Sequence, residues 1–460
     1  MLWLLCCALW FACRVQRSCS LSQWQPDAFL SPAELVRSKG YPAEEHVTVT
    51  EDGYVLSLQR VPRGGRQPPG TLSGPPVLLV HGLLSSAAEW VINYPHQSLG
   101  GVRNFSDGRG RRLLRIATLI PEGFSCVEEA FARSGFLLAD AGYDVWLGNC
   151  RGTPYSRGHR EYSDSDGRYW DFRLDEVGLL DLPALVDYVL ASTGWPQLFL
   201  VGFSQGNTAA WAMLADKPQY NDKILLLVAL APVANMTFIR SPVRFLVPIS
   251  PILTASAIVA NQGRLLVRPE WLRRAAYALC ESPLRYACAL PIFFLFGVNP
   301  NQLNQKKKFY LTNDVGGYNY VYSCSLCVQS RLAVYTSHLP SGASKRNVEQ
   351  YAQIIRARNF VKYNYGPQRN LYLYGTVESP AYDFSRITAP VALFSARKDF
   401  FANPEDVSTL RRSLPNVVLD YIVPDPDFTH LDFVLGTEAA AFVYRPLIDF
   451  MNNWVLLNGT

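Results

Sequence analysis

The sequence predicts an α/β fold: a mostly parallel sheet with helices on both faces and an inserted, mainly helical cap. Three observations predict it. An apolar run, Leu198–Val201, meets Gly202-Phe203-Ser204-Gln205-Gly206, and a helix-forming segment, Ala209–Ala215, follows at once. Short apolar runs recur along the chain with helical stretches between them. That alternation stops over residues 235–385 and resumes beyond them. Strands separated by helices imply parallel β-α-β units.

The elements follow in order. Glu44–Pro62 alternates apolar and polar residues around Glu51-Asp52-Gly53 and reads as an opening β-hairpin. Gly64–Pro76 is a Gly-, Pro- and Arg-rich loop. Pro76–Val80 is a short apolar strand running into His81-Gly82-Leu83-Leu84-Ser85-Ser86. Tyr143–Gly148 is the next strand, and Leu180–Leu190 has helical spacing ahead of the Leu198 run. Ile224–Leu230, Pro390–Ser395 and Val417–Val423 complete the apolar strands. The expected organisation is a signal peptide at 1–19, a core first part at 20–234, a cap or lid at 235–385, and the rest of the core at 386–460.

Composition excludes some functions. With 49% apolar and 18% charged residues in 460, the chain can bury a large core, which argues against disorder. The net charge of +5 is spread out, without a dense basic run interleaved with aromatics, so nucleic acid is a poor partner. The apolar start, Met1–Cys13, has the length of a signal-peptide core but lacks a basic leader, which leaves a membrane anchor as the alternative. No later run reads as a transmembrane helix, because Pro248 and Pro251 break Phe245–Ala260. Asn104, Asn235 and Asn458 begin glycosylation acceptor triplets, in keeping with secretion. Cys280 and Cys288 are close enough in sequence to close a small disulfide loop in an oxidising compartment. Cys324 and Cys327 form a lone C-x-x-C with no second pair, a weak zinc signal.

The chemistry centres on Ser204. A strand-to-helix turn this tight crowds the serine backbone, so the positions two before and two after must lack bulk, and both are glycine. This is the nucleophile elbow of an α/β-hydrolase fold. A strand followed by His-Gly is where that fold places its oxyanion loop, which assigns the two backbone donors to Leu83 and Gln205. His81 itself reads as a structural histidine. The partners follow in the order acid, then histidine. Only two histidines follow Ser204. His338 falls inside the cap, and His430 lies in a loop just after the last strand, where catalytic groups belong. His430 is the expected base, with His338 in reserve. Asp399 closes the preceding strand and is the expected acid, with Asp406, Asp425, Asp427 and Asp432 as rivals.

These residues support a family resemblance. The chain resembles the acid lipase family, which includes the gastric and lysosomal acid lipases. The matching runs include Gly40-Tyr-Pro-Ala-Glu-Glu, His81-Gly-Leu-Leu-Ser-Ser, Leu138–Asn149, Gly202-Phe-Ser-Gln-Gly, Tyr335–Ser344, Asn403-Pro-Glu-Asp-Val and Thr429–Phe433. The resemblance implies a secreted or lysosomal carboxylic ester hydrolase acting on triacylglycerols or cholesteryl esters at a lipid–water interface. It also implies a lid near Leu266–Phe296 and a Cys280–Cys288 bridge; a monomer is expected, and acyl transfer through serine needs no metal or organic cofactor. It places nucleophile, acid and base on Ser204, Asp399 and His430. The chain departs from the family pattern with Phe203 in place of His and Cys150 in place of Ser. Two stretches, about 99–134 and 306–329, interrupt the match. They read as surface loops or as translated intron, the latter favoured. Because of them a non-catalytic lipid-binding relative is the competing reading. Apolar runs Phe245–Ala260 and Leu290–Val298 are expected to line an acyl site, face lipid, or form cap core.

Overall fold

The computed structural model describes residues 25–65, 67–68, 70, 73–93, 137–250, 262–282, 285–297, 299 and 331–458. The segment 1–19 expected to be a signal peptide, both interrupting stretches, Asn104, Cys324 and Cys327 lie outside the described residues. Among those described, eleven strands form two sheets. The strands are β1 (Glu44–Val49), β2 (Tyr54–Val61), β3 (Pro76–Val80), β4 (Asp144–Gly148), β5 (Gly158–His159) and β6 (Leu198–Phe203). They continue with β7 (Ile224–Leu230), β8 (Arg264–Leu265), β9 (Ala343–Ser344), β10 (Val391–Ser395) and β11 (Val417–Ile422).

The large sheet has the order β1-β2-β4-β3-β6-β7-β10-β11, with β5 added to β2. β4 through β11 along that path pair in parallel, and β1 and β2 are antiparallel at one edge. Every residue of β3, β4, β6, β7 and β10 is buried. Strands covered on both faces need continuous apolar runs, which is why these segments do not alternate. β1 is the opposite case: its outward residues are exposed and its sequence mixes Glu, His, Val and Thr.

The pairing of β3 with β6 matters most for function. Val80 sits opposite Gly202, so the turns leaving both strands emerge side by side. β3 also lies where the strand order reverses, with β4 on one side and β6 on the other. Parallel sheets leave a crevice at the carboxyl ends of strands at such a point. Asp399 and His430 leave the ends of β10 and β11 at the same edge.

The segment 235–385 contains mainly helices, among them Glu270–Glu281, Arg285–Phe296, Leu332–His338, Lys345–Ala357 and Pro367–Tyr374. Glu270–Glu281 packs on both Arg285–Phe296 and Leu332–His338. A disulfide between Cys280 and Cys288 ties the first two together. β8 and β9 pair within this segment as a two-stranded sheet too short to show a period in the sequence. Buried polar contacts fasten the segment to the core. The Asp175 carboxylate accepts from Tyr382 Oη at 2.7 Å and from Tyr363 N–H at 2.8 Å. Part of the apolar sequence faces outward rather than inward: Phe245, Leu246, Ile249, Leu290 and Phe294 are all exposed. No helix among the described residues is long and apolar enough to cross a membrane.

Candidate active site

Ser204 occupies the turn between β6 and the helix Gln205–Asp216, with φ 50° and ψ −109°. A residue with a side chain holds such a backbone only where its surroundings enforce it, at about 1–3 kcal/mol. The enforcing contacts are close. A Cβ on Gly202 would lie 2.4 Å from Asn207 Oδ1 and 2.8 Å from Asn207 N; one on Gly206 would lie 2.3 Å from Val80 O. Both glycines are therefore steric requirements of the turn. The Ser204 N–H donates to Leu230 O at 3.1 Å, anchoring the turn to β7.

Ser204, His430 and Asp399 form one hydrogen-bonded chain. His430 Nε2 is 2.9 Å from Ser204 Oγ, and His430 Nδ1 is 2.9 Å and 2.8 Å from the two Asp399 oxygens. Asp399 is fully buried and also accepts the N–H groups of Phe401 (2.8 Å) and Ala402 (2.9 Å). A carboxylate surrounded by donors can only accept, so the imidazole proton sits on Nδ1 and Nε2 is free to accept from the hydroxyl. The rings of Phe401, Phe203 and Phe296 lie 5.0, 5.2 and 6.1 Å from the imidazole and screen it from water.

The loop after β3 runs directly against Ser204, since a Cβ on Gly82 would lie 3.4 Å from Ser204 Cβ and 3.0 Å from Phe203 Cδ1. The Leu83 and Gln205 N–H groups have no acceptor among the described residues. His81 is structural in a specific way. Its Nδ1 donates to Gly82 O at 2.8 Å, and its Nε2 accepts the Cys150 N–H at 3.1 Å. Burial lowers its pKa to about 4, so the ring stays neutral and keeps that tautomer. The Gln205 side chain is held from the segment 235–385, its Oε1 accepting Asn347 Nδ2 at 3.0 Å.

The other candidates have other work. His338 is buried and donates through Nε2 to Asp27 O at 2.8 Å. Asp406 accepts the Thr237 and Phe238 N–H groups, both at 3.0 Å. Asp427 pairs with Lys398 and accepts nothing from His430. Asp432 accepts from Thr429 N–H (2.7 Å), Thr429 Oγ1 (2.8 Å) and Asn299 Nδ2 (3.1 Å), which braces the loop carrying His430. Asn235 is half-buried after β7, and Asn458 ends the last helix with its side chain outside the described residues. Three or more His, Cys, Asp or Glu residues arranged to hold a metal are not found among the described residues.

Sequence reasoning missed Glu89 and Asn347. Glu89 is buried, and its Oε1 accepts the Gly82 N–H at 3.0 Å. The available signal was a single acid within the apolar stretch Ala87–Ile92. Asn347 carried no signal, because its partner lies 142 positions away.

Comparison with known proteins follows the same lines. A family model described as a partial alpha/beta-hydrolase lipase region matches residues 32–94, and one described as the alpha/beta hydrolase fold matches 120–283. Lipase member M of Mus musculus is 31% identical over 429 residues, covering 93% of this chain and 86% of that protein. The chain belongs to the acid lipase family. Gastric triacylglycerol lipase of Homo sapiens is similar at 30% identity over 93% of this chain and 92% of its own. The lysosomal acid lipase/cholesteryl ester hydrolase of Macaca fascicularis is 28% identical over 98% and 97%. As an acid lipase relative with this fold, the chain is a serine ester hydrolase acting on lipid esters.

Proposed function

We propose that this acid lipase hydrolyses fatty-acyl esters, such as triacylglycerols or cholesteryl esters, through an acyl-enzyme on Ser204. The observation that carries the reading is the unbroken chain from Ser204 Oγ through His430 to Asp399. His430 Nε2 takes the Ser204 proton as Oγ bonds to the ester carbonyl carbon. Leu83 and Gln205 N–H groups hold the resulting oxyanion, and the N-terminus of helix Gln205–Asp216 adds favourable field. The imidazolium, stabilised by Asp399, gives its proton to the departing alcohol. Water, deprotonated by His430, then releases the fatty acid and restores the hydroxyl.

The substrate class rests on two supports. The names of two relatives specify triacylglycerol and cholesteryl ester. The cap segment exposes Phe245, Leu246, Ile249, Leu290 and Phe294, and the turn Pro242–Leu246 packs against helix Arg285–Phe296. Leu290 and Phe294 are four apart and share a helix face, so these side chains form an apolar surface suited to a lipid–water interface. The acceptor triplets and the Cys280–Cys288 bridge favour a secretory route to the lysosome or outside. A fluorophosphonate probe tests the mechanism: labelling at Ser204 is expected, and its loss in Ser204→Ala. Folded protein that stays unlabelled, or a Ser204→Ala variant with full esterase activity, refutes it.

A further inference from the structure

Gly82 is the residue on which the oxyanion loop pivots, and both of its peptide planes are held. The Gly82–Leu83 peptide carries the Gly82 C=O and the Leu83 N–H, which point in opposite directions across a planar trans unit. His81 Nδ1 (2.8 Å) and Ser85 N–H (3.2 Å) bind that C=O, which sets the direction of the Leu83 N–H. The other plane, His81–Gly82, carries the Gly82 N–H, and Glu89 Oε1 binds it at 3.0 Å. Glycine has the widest choice of φ and ψ, so one anchor alone leaves the pivot free to turn. We propose that Glu89 is a positioning residue of the oxyanion loop: its carboxyl fixes the His81–Gly82 peptide so that the Leu83 N–H stays aimed at the acyl oxygen. This rests on the acyl-enzyme reading above.

The surroundings of Glu89 make its role depend on pH. It sits in the turn Ala87–Trp90, which packs on β3, β4 and the helices Pro32–Ser38 and Asp432–Leu435. The titratable groups that interact with it are Cys150 and Tyr444, neither of them a cation, and the Ser85 hydroxyl lies beside its carboxyl. Burial pushes the Glu89 carboxyl up to about 8. Below that it is a neutral acid whose carbonyl oxygen accepts the Gly82 N–H. Above it, an unpaired carboxylate lies one residue from the oxyanion site and opposes the negative charge that the transition state develops.

The test uses the full chain and the soluble ester p-nitrophenyl butyrate from pH 4 to 9. Glu89→Gln keeps an acceptor and the volume without ionising; it is expected to match the wild-type kcat at pH 5 and to lose the decline above about pH 8. Glu89→Leu keeps KM and loses kcat by about 10²-fold, the scale of one misplaced oxyanion donor. An unchanged alkaline decline in Glu89→Gln, or a folded Glu89→Leu with wild-type kcat, overturns the proposal; if Glu89→Leu does not fold, Glu89→Gln decides alone. Thermal unfolding gives a reading that needs no activity. The melting temperature of wild type relative to Glu89→Gln should fall as pH rises from about 4.5 to about 8, because the folded chain alone keeps this proton. A flat difference overturns the proposal even in an inactive protein, whereas inactivity toward all esters with that slope present refutes only the hydrolase reading.

Discussion

Replacing Gly206 with alanine isolates the contact that sets Ser204, the proposed nucleophile, beside the loop after β3. The added Cβ would meet Val80 O at 2.3 Å and Val80 C at 3.0 Å. Both atoms are backbone, so no rotamer change relieves the clash, and the helix Gln205–Asp216 and the end of β3 must move apart by about 0.7 Å to reach even the closest real contacts. Alanine gains about 1 kcal/mol over glycine in helix propensity, but overpacking a rigid site costs about 1–3 kcal/mol, so the net effect is destabilising. The larger consequence is on rate. Val80 leads into His81-Gly82-Leu83, and Gly206 follows Gln205, so the separation pulls the two proposed oxyanion donors apart. A shift near 1 Å costs about 10²-fold, the low end of the roughly 2.7–4 kcal/mol span of one lost donor. Steady-state kinetics on a soluble ester should show kcat down about 10²-fold with KM little changed, and the melting temperature lower by several degrees. A Gly206→Ala enzyme with wild-type kcat and stability would refute the geometric argument for the elbow.

Three further outcomes follow from named contacts. Asp399→Asn removes the acceptor that keeps the proton on His430 Nδ1, and kcat should drop by about 10³–10⁴-fold in the same assay; a loss under ten-fold would show that another acid orients His430. Breaking the Cys280–Cys288 bridge by Cys288→Ala frees a short loop, worth about 2–3 kcal/mol. It should raise proteolytic cleavage between Glu270 and Phe296 while leaving the core intact, and unchanged cleavage would remove the bridge from any stabilising role. Burial pushes Asp432 up to about 7, above the unfolded carboxylate near 4. The folded chain then holds a proton that the unfolded chain releases, so this stabilisation is complete below about pH 4 and is lost as pH rises to about 7. Wild-type stability relative to Asp432→Asn, measured by urea unfolding, should decline across that window, and a constant difference argues against a buried neutral Asp432.

What the sequence revealed and what it hid divide along physical lines. The buried parallel strands were legible because burial on both faces demands unbroken apolar runs. Ser204 was legible because the steric crowding of its turn dictates glycines at fixed offsets. That His430 and Asp399 converge on Ser204 was legible by chain order and by their position after strands, although the contacts are made at long range. Contacts between backbone and distant side chains left no trace. Nothing local announces that Asn347 reaches Gln205. Glu89 shows only as an acid out of place among apolar neighbours, since its partner is an N–H that every residue but proline carries. The runs expected to line an acyl site, face lipid or form core resolved only in three dimensions, where the described side chains of Phe245, Leu290 and Phe294 face outward.

The groups that brace the site share one electrical property. His81 is neutral above about pH 4, Glu89 below about 8 and Asp432 below about 7. Each holds a loop rather than touching the reacting atoms: His81 and Glu89 hold the two planes of Gly82, and Asp432 holds Thr429 beside His430. Between about pH 5 and 6 all three keep one charge state in the folded chain, so the supports of the proposed oxyanion loop and of the loop carrying His430 stay constant. Above it, two buried acids ionise in turn, Asp432 first and Glu89 second. Activity should then fall in two steps that the Asp432→Asn and Glu89→Gln variants remove one at a time.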